Sequence, residues 1–304
     1  MADITIGSSE AATALGYDPW GSELELWLRL TGRIPRRDPS SGTPATYRGS
    51  ALEWGLIQWA ARQVGAAQVM AGPGLDQQPM RHPTLYFLHS RVDGYFRMDT
   101  EPGPATVLAD AKTSRYLEAE VDTPMGVLPA WGEAGTDQIP RWLKPQMLVH
   151  LACHPLAERV VVPALGTVDD DFRLYQIERD EGLIRRLEDA LGRWWDLRIE
   201  QGVAPAPDGK PRTDRALDRA LAAKPGRVVV ATPEEAAMVR AAATKREAAR
   251  AMEAASDMVR QAVKVRLGSA TEFMDPDGRL LATWREGKNG RTFRWKQRND
   301  YDEE

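Results

Sequence analysis

The sequence predicts an α/β fold followed by a small helical and β appendage. Three observations predict it. Amphipathic helical runs alternate with strand-like runs as far as Gly202. The strand-like runs come in pairs, each joined by turn-forming residues. Past Gly202 the character shifts to a Pro- and Gly-rich stretch, then one long Ala-rich charged helix, then two hairpin turn signals. With 304 residues, 42% hydrophobic and 28% charged, the chain has room for one large domain plus an appendage.

The first helical run, "SSEAATALG", offers Ser8 or Ser9 as N-cap and Gly16 as a stop. A second helix spans about Glu23–Leu30, with Leu24, Trp27 and Leu28 on one side. Residues 32–47 are rich in Pro, Gly, Ser and Arg and read as a loop. "RGSALEWGLIQWAARQVG" is helical, with Leu52, Leu56, Trp59 and Ala60 at three-to-four spacing, and Gly72, Pro73 and Gly74 close that region. Two strand-like runs follow, "FLHSRVDGYF" and "TVLADAK", separated by the turn-rich "RMDTEPGPA" as in an antiparallel hairpin. After a loose segment at 121–138, "PRWLKPQMLVHLACHP" reads as a helix with Pro145 in its first turn and Pro155 beyond its end. "ERVVVPALG" and "DFRLYQIE" are two further strands. "DEGLIRRLEDALGRWWDLRIEQG" is a long amphipathic helix with a stripe of Leu183, Leu187, Ala190, Leu191, Trp194 and Arg198. These runs predict a core over 1–203, a linker over 204–231 and an appendage over 232–304. In the appendage, Thr232-Pro-Glu-Glu235 is a capping box that opens a helix to about Leu267, and Asp277-Gly278 and Asn289-Gly290 are hairpin turns.

Composition narrows the function. Net charge is −4, which argues against a nonspecific nucleic-acid coat but leaves room for a local basic groove. A single cysteine, Cys153, excludes an intramolecular disulfide and multi-cysteine metal sites within one chain. No apolar run approaches a membrane span and no secretory signal is visible at the N-terminus, so a cytoplasmic protein, in a host cell if phage-encoded, is the expectation.

The informative stretch is "TVLADAKTS". Side chains alternate along a strand, so Val107, Ala109 and Ala111 face one way while Leu108, Asp110 and Lys112 face the other. A hairpin that pairs Arg97 with Thr106 also places Asp93 directly opposite Asp110. Two facing carboxylates repel each other, and a cation between them removes that repulsion. Hard oxygen ligands suit Mg²⁺ or Mn²⁺, and Lys112 would contact a phosphate or orient an attacking water. The competing explanation for Asp-x-Lys is an exposed ion pair. A zinc site at His150, Cys153 and His154 is the other metal arrangement the residues offer, with His150 and Cys153 on one helix face.

The order of motifs resembles the YqaJ-type viral recombinases, relatives of lambda exonuclease among the PD-(D/E)XK nucleases. The resemblance covers about residues 4–203. It runs through "IGSSEAATALGYDPWGSELELWLRLTGR", "RGSALEWG", "HPTLYFLHSRVDGYF", "VLADAK", "IPRWLKPQMLVHLA" and "YQIERDEGLIRRLEDALGRWW". No one of these is specific; six in order at suitable spacing are. The resemblance implies a restriction-endonuclease-like core with a mixed central sheet flanked by helices. It implies metal-binding carboxylates at Asp93 and Asp110, a further ligand in the Ala111 carbonyl, and a helix acid at Glu53 for a second metal or its water. Lys112 matches the lysine beside the attacked phosphate, Gln146 the glutamine that orients the water or the terminal phosphate, and Ser9 the serine that helps hold a 5′ phosphate. Relatives often carry an Arg about seven residues before that serine; here Ala2 occupies the place, and Arg91 or an Arg of the 33–48 loop is left to substitute.

The implied function is a Mg²⁺-dependent exonuclease that resects linear double-stranded DNA from 5′ ends and leaves 3′ single strands for recombination. Implied partners are double-stranded DNA ends, a phage single-strand annealing protein and further copies of the chain, as in a trimeric ring; no membrane partner is expected. A non-catalytic DNA-end-binding or recombination-partner protein, or a RecB-like or restriction-like endonuclease, is the alternative. The tail "WREGKNGRTFRWKQR" carries six Lys or Arg and one Glu with interleaved aromatics, suited either to DNA contact or to packing on the long helix.

Overall fold

A computed structural model describes residues 4–35, 43–71, 79–101, 103–123, 126–221, 225–287 and 290–296. Ala2, Arg36, Arg37, Gly72–Gly74 and Asn289 lie outside the described residues. The chain forms two compact units, residues 1–223 and 224–304.

The first unit opens with β1 (Ile6–Gly7), a 3₁₀ turn at Ser8–Glu10 and α1 (Ala11–Ala14). Gly7, not Ser8 or Ser9, caps this start, and its N–H donates to the Glu10 carboxylate at 3.1 Å. Helix α2 (Glu23–Leu30) is capped by Ser22. Helix α3 (Pro44–Gln63) begins inside the expected loop, because the Thr43 hydroxyl accepts from Thr46 N–H and Pro44 fits the first turn. Then come β2 (Gln68–Ala71), β3 (Met80–Arg81), β4 (Leu88–Ser90), β5 (Gly94–Asp99), β6 (Pro104–Ala109) and β7 (Lys112–Ser114). The segment expected to be loose contains a hairpin, β8 (Glu120–Thr123) and β9 (Gly126–Pro129). Helix α4 (Lys144–Cys153), β10 (Ala157–Gly166), β11 (Asp171–Glu178) and α5 (Glu181–Trp195) complete the core, and a π turn at Asp196–Glu200 ends α5.

The central sheet is mixed. Its order is β11-β10-β6-β5-β2, and β7 continues beyond β6 along β10. Strand β10 runs parallel to β6 and β7; the other pairs are antiparallel. Alternation assigns the two faces. Val107, Ala109 and Val161 pack with Ile57, Ala60 and Ala61 of α3, while Leu108, Val160 and Val162 pack with Met147 and Leu151 of α4. The mixed sheet between helices is the expected α/β arrangement.

The expected linker contains α6 (Pro211–Ala220), which packs against α2 within the first unit. Arg212 and Arg219 pair with the buried Glu25, Lys210 Nζ donates to the carbonyls of Asp18 and Gly21, and Ser22 and Thr213 share a hydrogen bond of 2.6 Å. These partners are some 190 positions away in sequence, so local composition did not disclose them.

The second unit contains α7 (Pro233–Leu267) with its capping box at Thr232 and Glu235, then β12 (Glu272–Met274), β13 (Leu280–Gly287) and β14 (Gly290–Trp295) in one antiparallel sheet. Trp284 and Phe293 face each other across β13 and β14, with Lys264 Nζ at 5.2 and 5.6 Å from their ring centres. These two aromatics therefore meet a cation of α7, as the packing alternative for the tail requires. No helix among the described residues is long and apolar enough to cross a membrane.

Candidate active site

The site forms where the β5–β6 hairpin stops being a ladder. The register is the expected one, Arg97 opposite Thr106 and Gly94 opposite Ala109. One step further would place Asp93 opposite Asp110, and there both expected strands break: β4 ends at Ser90, β5 starts at Gly94, and β6 and β7 are separated by Asp110 and Ala111. Asp93 N–H still donates to Ala109 O at 3.0 Å and Asp110 N–H to Val161 O at 3.1 Å. The next donor, Ala111 N–H, has lost its β5 partner and donates instead to the Asp93 carboxylate at 2.8 Å. A carboxylate thus replaces a strand carbonyl, and two acids sit at the open end of the hairpin.

Eight of the residues named from the sequence line one cleft of about 440 Å³ there: Glu53, Asp93, Asp110, Ala111, Lys112, Gln146, Ser9 and Arg91. Glu53 comes from α3, Gln146 from the first turn of α4, and Ser9 from the opening 3₁₀ turn. The Lys112 ammonium bonds directly to Asp110 Oδ2, and Gln146 Nε2 donates to Asp110 Oδ1 at 3.2 Å. Asp110 is only 1% exposed, so this is not the exposed ion pair that Asp-x-Lys often signifies.

Three carboxylates in one cleft perturb one another. Burial, then the charge of Asp110, pushes Asp93 up to about 8. Glu53 is raised by the same two causes in the same order. Burial also works against ionised Asp110, but the Lys112 ammonium and His150 outweigh it and hold this acid below its usual range. Lys112 is raised, because Asp110 and Asp93 outweigh the burial of its ammonium. The cluster therefore lacks positive charge, with one acid left protonated well above the normal carboxylate range.

This chemistry fits a hard divalent cation. Among the described residues no three His, Cys, Asp or Glu side chains already converge closely enough to hold an ion alone. The fit therefore rests on Asp93 and Asp110 together, with the Ala111 main chain between them and Glu53 within electrostatic range of both. The zinc arrangement does not form. His150 and His154 turn toward Ser90, whereas Cys153 packs with Ile6, Val149 and Leu191, and burial pushes its thiol up to about 12.

Sequence reasoning missed several cleft residues: Ser8, Thr46, Gly49, Ser50 and His89. It also missed the role of His150, fully buried, whose Nε2 lies 3.3 Å from Asp110 Oδ1. A signal was present: His150 follows Gln146 by four positions and so shares its helix face.

Solved structures offer distant likenesses. An alkaline exonuclease, LHK-Exo, from Laribacter hongkongensis is 18% identical over 66% of this chain and 91% of that one, with a TM-score of 0.43. LHK-Exo in complex with dAMP is 16% identical over 66% of this chain and 94% of that one, at 0.40. In sequence, the uncharacterized protein YqaJ of Bacillus subtilis (strain 168) is 28% identical over 219 residues, 71% of this chain. The chain thereby spans 60% of that relative's length. The family model for the YqaJ-like viral recombinase domain matches residues 3–155, a stretch that includes Ser9, Glu53, Asp93, Asp110, Lys112, Gln146 and His150. The chain belongs to the YqaJ-like viral recombinase domain family.

Proposed function

We propose that this protein is a divalent-metal-dependent exonuclease that degrades linear double-stranded DNA from its 5′ ends. The observation that carries the reading is the pair Asp93 and Asp110 at the open end of β5–β6, short of positive charge, with Lys112 between cleft and carboxylate. Asp93 and Asp110 would hold a Mg²⁺ or Mn²⁺ ion, with the Ala111 carbonyl as a further ligand and Glu53 serving a second ion or its water. Such an ion lowers the pKa of bound water and offsets charge on phosphoryl oxygens.

The chain's own groups have separate tasks. Lys112 is a permanent positive charge that would turn from Asp110 to a nonbridging oxygen, where negative charge gathers in the transition state. Gln146 orients the attacking water from the first turn of α4. Ser9 and Arg91 line the same cleft and suit the terminal 5′ phosphate, with His89 beside them. Burial keeps His89 low, so its imidazole is neutral near pH 7 and acts as a hydrogen-bonding group there. Removal of nucleotides from 5′ ends leaves a 3′ single strand for an annealing partner, and a ring of chain copies around the duplex would keep the enzyme on its substrate. The setting that suits these partners is the cytoplasm of an infected cell.

The test uses linear and covalently closed circular duplex with Mg²⁺ or with chelator. The reading expects acid-soluble nucleotides from linear DNA only, and only with metal, with 5′-labelled nucleotides released first. Cleavage of the closed circle would assign an endonuclease instead. Binding of DNA ends with no product at any metal concentration would assign a non-catalytic end-binding protein.

A further inference from the structure

We propose that His150, backed by Ser90, is a positioning residue that locks one oxygen of Asp110 so that the other is the one presented to a cation. The proposal rests on the reading of the cleft as a metal-dependent centre and assigns unequal tasks to the two carboxylate oxygens.

The geometry points to that division. His150 is fully buried on α4, between Met147 and Leu151, which pack into the core. An apolar side chain would fill such a position at less desolvation cost, so the imidazole needs a polar explanation. It has partners on both nitrogens: Nδ1 lies 2.7 Å from Ser90 Oγ, and Nε2 lies 3.3 Å from Asp110 Oδ1. The Asp110 carboxylate accepts, so the proton of that bond is on His150 Nε2, and Nδ1 shares the second bond with the Ser90 hydroxyl. Ser90 Oγ in turn lies 3.4 Å from His154 Nε2. The result is a connected chain from His154 through Ser90 and His150 to Asp110.

The two oxygens of Asp110 therefore differ. Oδ1 receives Gln146 and His150, both from one face of a packed helix. Oδ2 receives Lys112, a flexible side chain that is 20% exposed. A cation at Oδ2 would compete with the lysine and not with the helix. Oδ1 would stay fixed by Gln146 and His150, and the Lys112 ammonium would be released toward the cleft. Hydrogen bonds of this kind behind a ligating carboxylate typically govern metal affinity by about 10–100-fold.

The test measures Mn²⁺ binding by calorimetry on the full chain, beside kcat and KM on linear duplex and thermal unfolding. His150→Leu should weaken Mn²⁺ binding by about 10–100-fold and lower kcat by a similar factor, with KM for DNA unchanged. His150→Gln, whose amide nitrogen can reach Asp110 Oδ1, should recover most of both. Ser90→Ala should give a smaller loss in the same direction. A purely space-filling role predicts the reverse: loss of thermal stability with wild-type Mn²⁺ affinity. Wild-type affinity in a folded His150→Leu, or equal defects in the Leu and Gln variants, overturns the proposal. Should the Leu variant not fold, Ser90→Ala decides alone, and unchanged affinity and kcat would sink it. Asp110→Ala separates the two levels. If it abolishes Mn²⁺ binding while His150→Leu does not weaken it, only the positioning role falls; if it binds Mn²⁺ like wild type, the reading of the cleft falls with it.

Discussion

Strands β5 and β6 are two molecules in miniature. At Phe96, Met98, Ala105 and Val107 the hairpin presents apolar side chains, closed by its ladder and packed under α3. From Asp93 and Asp110 onward the same strands splay, charge replaces hydrocarbon, and an acid takes the main-chain donor that the ladder released. Burial has opposite consequences at the two ends. In the packed half it removes apolar surface from water and stabilises the fold. In the open half it withholds solvent from three carboxylates, which raises Asp93 and Glu53 and makes the region receptive to a cation. One hairpin thus holds the fold at one end and stores the electrostatic tension a metal can relieve at the other.

The largest test of this contrast is Asp110→Ala. DNA hydrolysis should fall by on the order of 10³-fold, while circular dichroism and cooperative unfolding persist. Activity like that of wild type would dissolve the distinction. Phe96→Ala tests the other half. It should destabilise the metal-free protein by about 3–5 kcal/mol in urea unfolding, with kcat of the folded fraction retained.

A smaller effect sharpens the electrostatics. Asp93 has a folded value of about 8, above its ordinary 3.8, so the folded state binds the extra proton between those limits. Its contribution to stability is therefore present at low pH and lost as pH rises toward 8. Asp93→Asn should remove that decline, making the metal-free variant more stable than wild type at pH 8 by about 1–3 kcal/mol in thermal or urea unfolding. Added Mg²⁺ should stabilise wild type and leave the Asn variant nearly unmoved. Parallel stability–pH curves for the two proteins would show that Asp93 carries no such tension.

The smallest effect lies in the second unit. Thr232→Ala removes the cap of α7 and should cost about 1 kcal/mol there, read by hydrogen exchange in its first turns, with the cleft's activity unchanged.

How far the sequence disclosed this arrangement follows the range of each interaction. The meeting of Asp93 and Asp110 in one cleft was legible because the hairpin register that leads to them is set locally by alternation and loop length. The helix start at Thr232 was legible for the same reason, since a cap acts within four residues. The break at residues 110–111 was not, because continuous strand propensity says nothing about where a partner strand ends. Helix α6 escaped for a similar reason. It has few apolar residues and is held by Glu25 and by carbonyls far away in sequence. His150 was read only as a possible zinc ligand, because its true partners, Ser90 and Asp110, are brought to it by tertiary packing alone. Ser9 lines the cleft, but the N-cap expected at Ser8 or Ser9 belongs to Gly7.

The most direct measurement is a crystal structure with Mn²⁺ and an anomalous difference map. The account predicts a peak at about 2.1 Å from carboxylate oxygens of both Asp93 and Asp110, with Lys112 turned away from Oδ2 and His150 still on Oδ1. A map without a peak between these two acids at saturating Mn²⁺, with Lys112 still seated on Asp110, would contradict it.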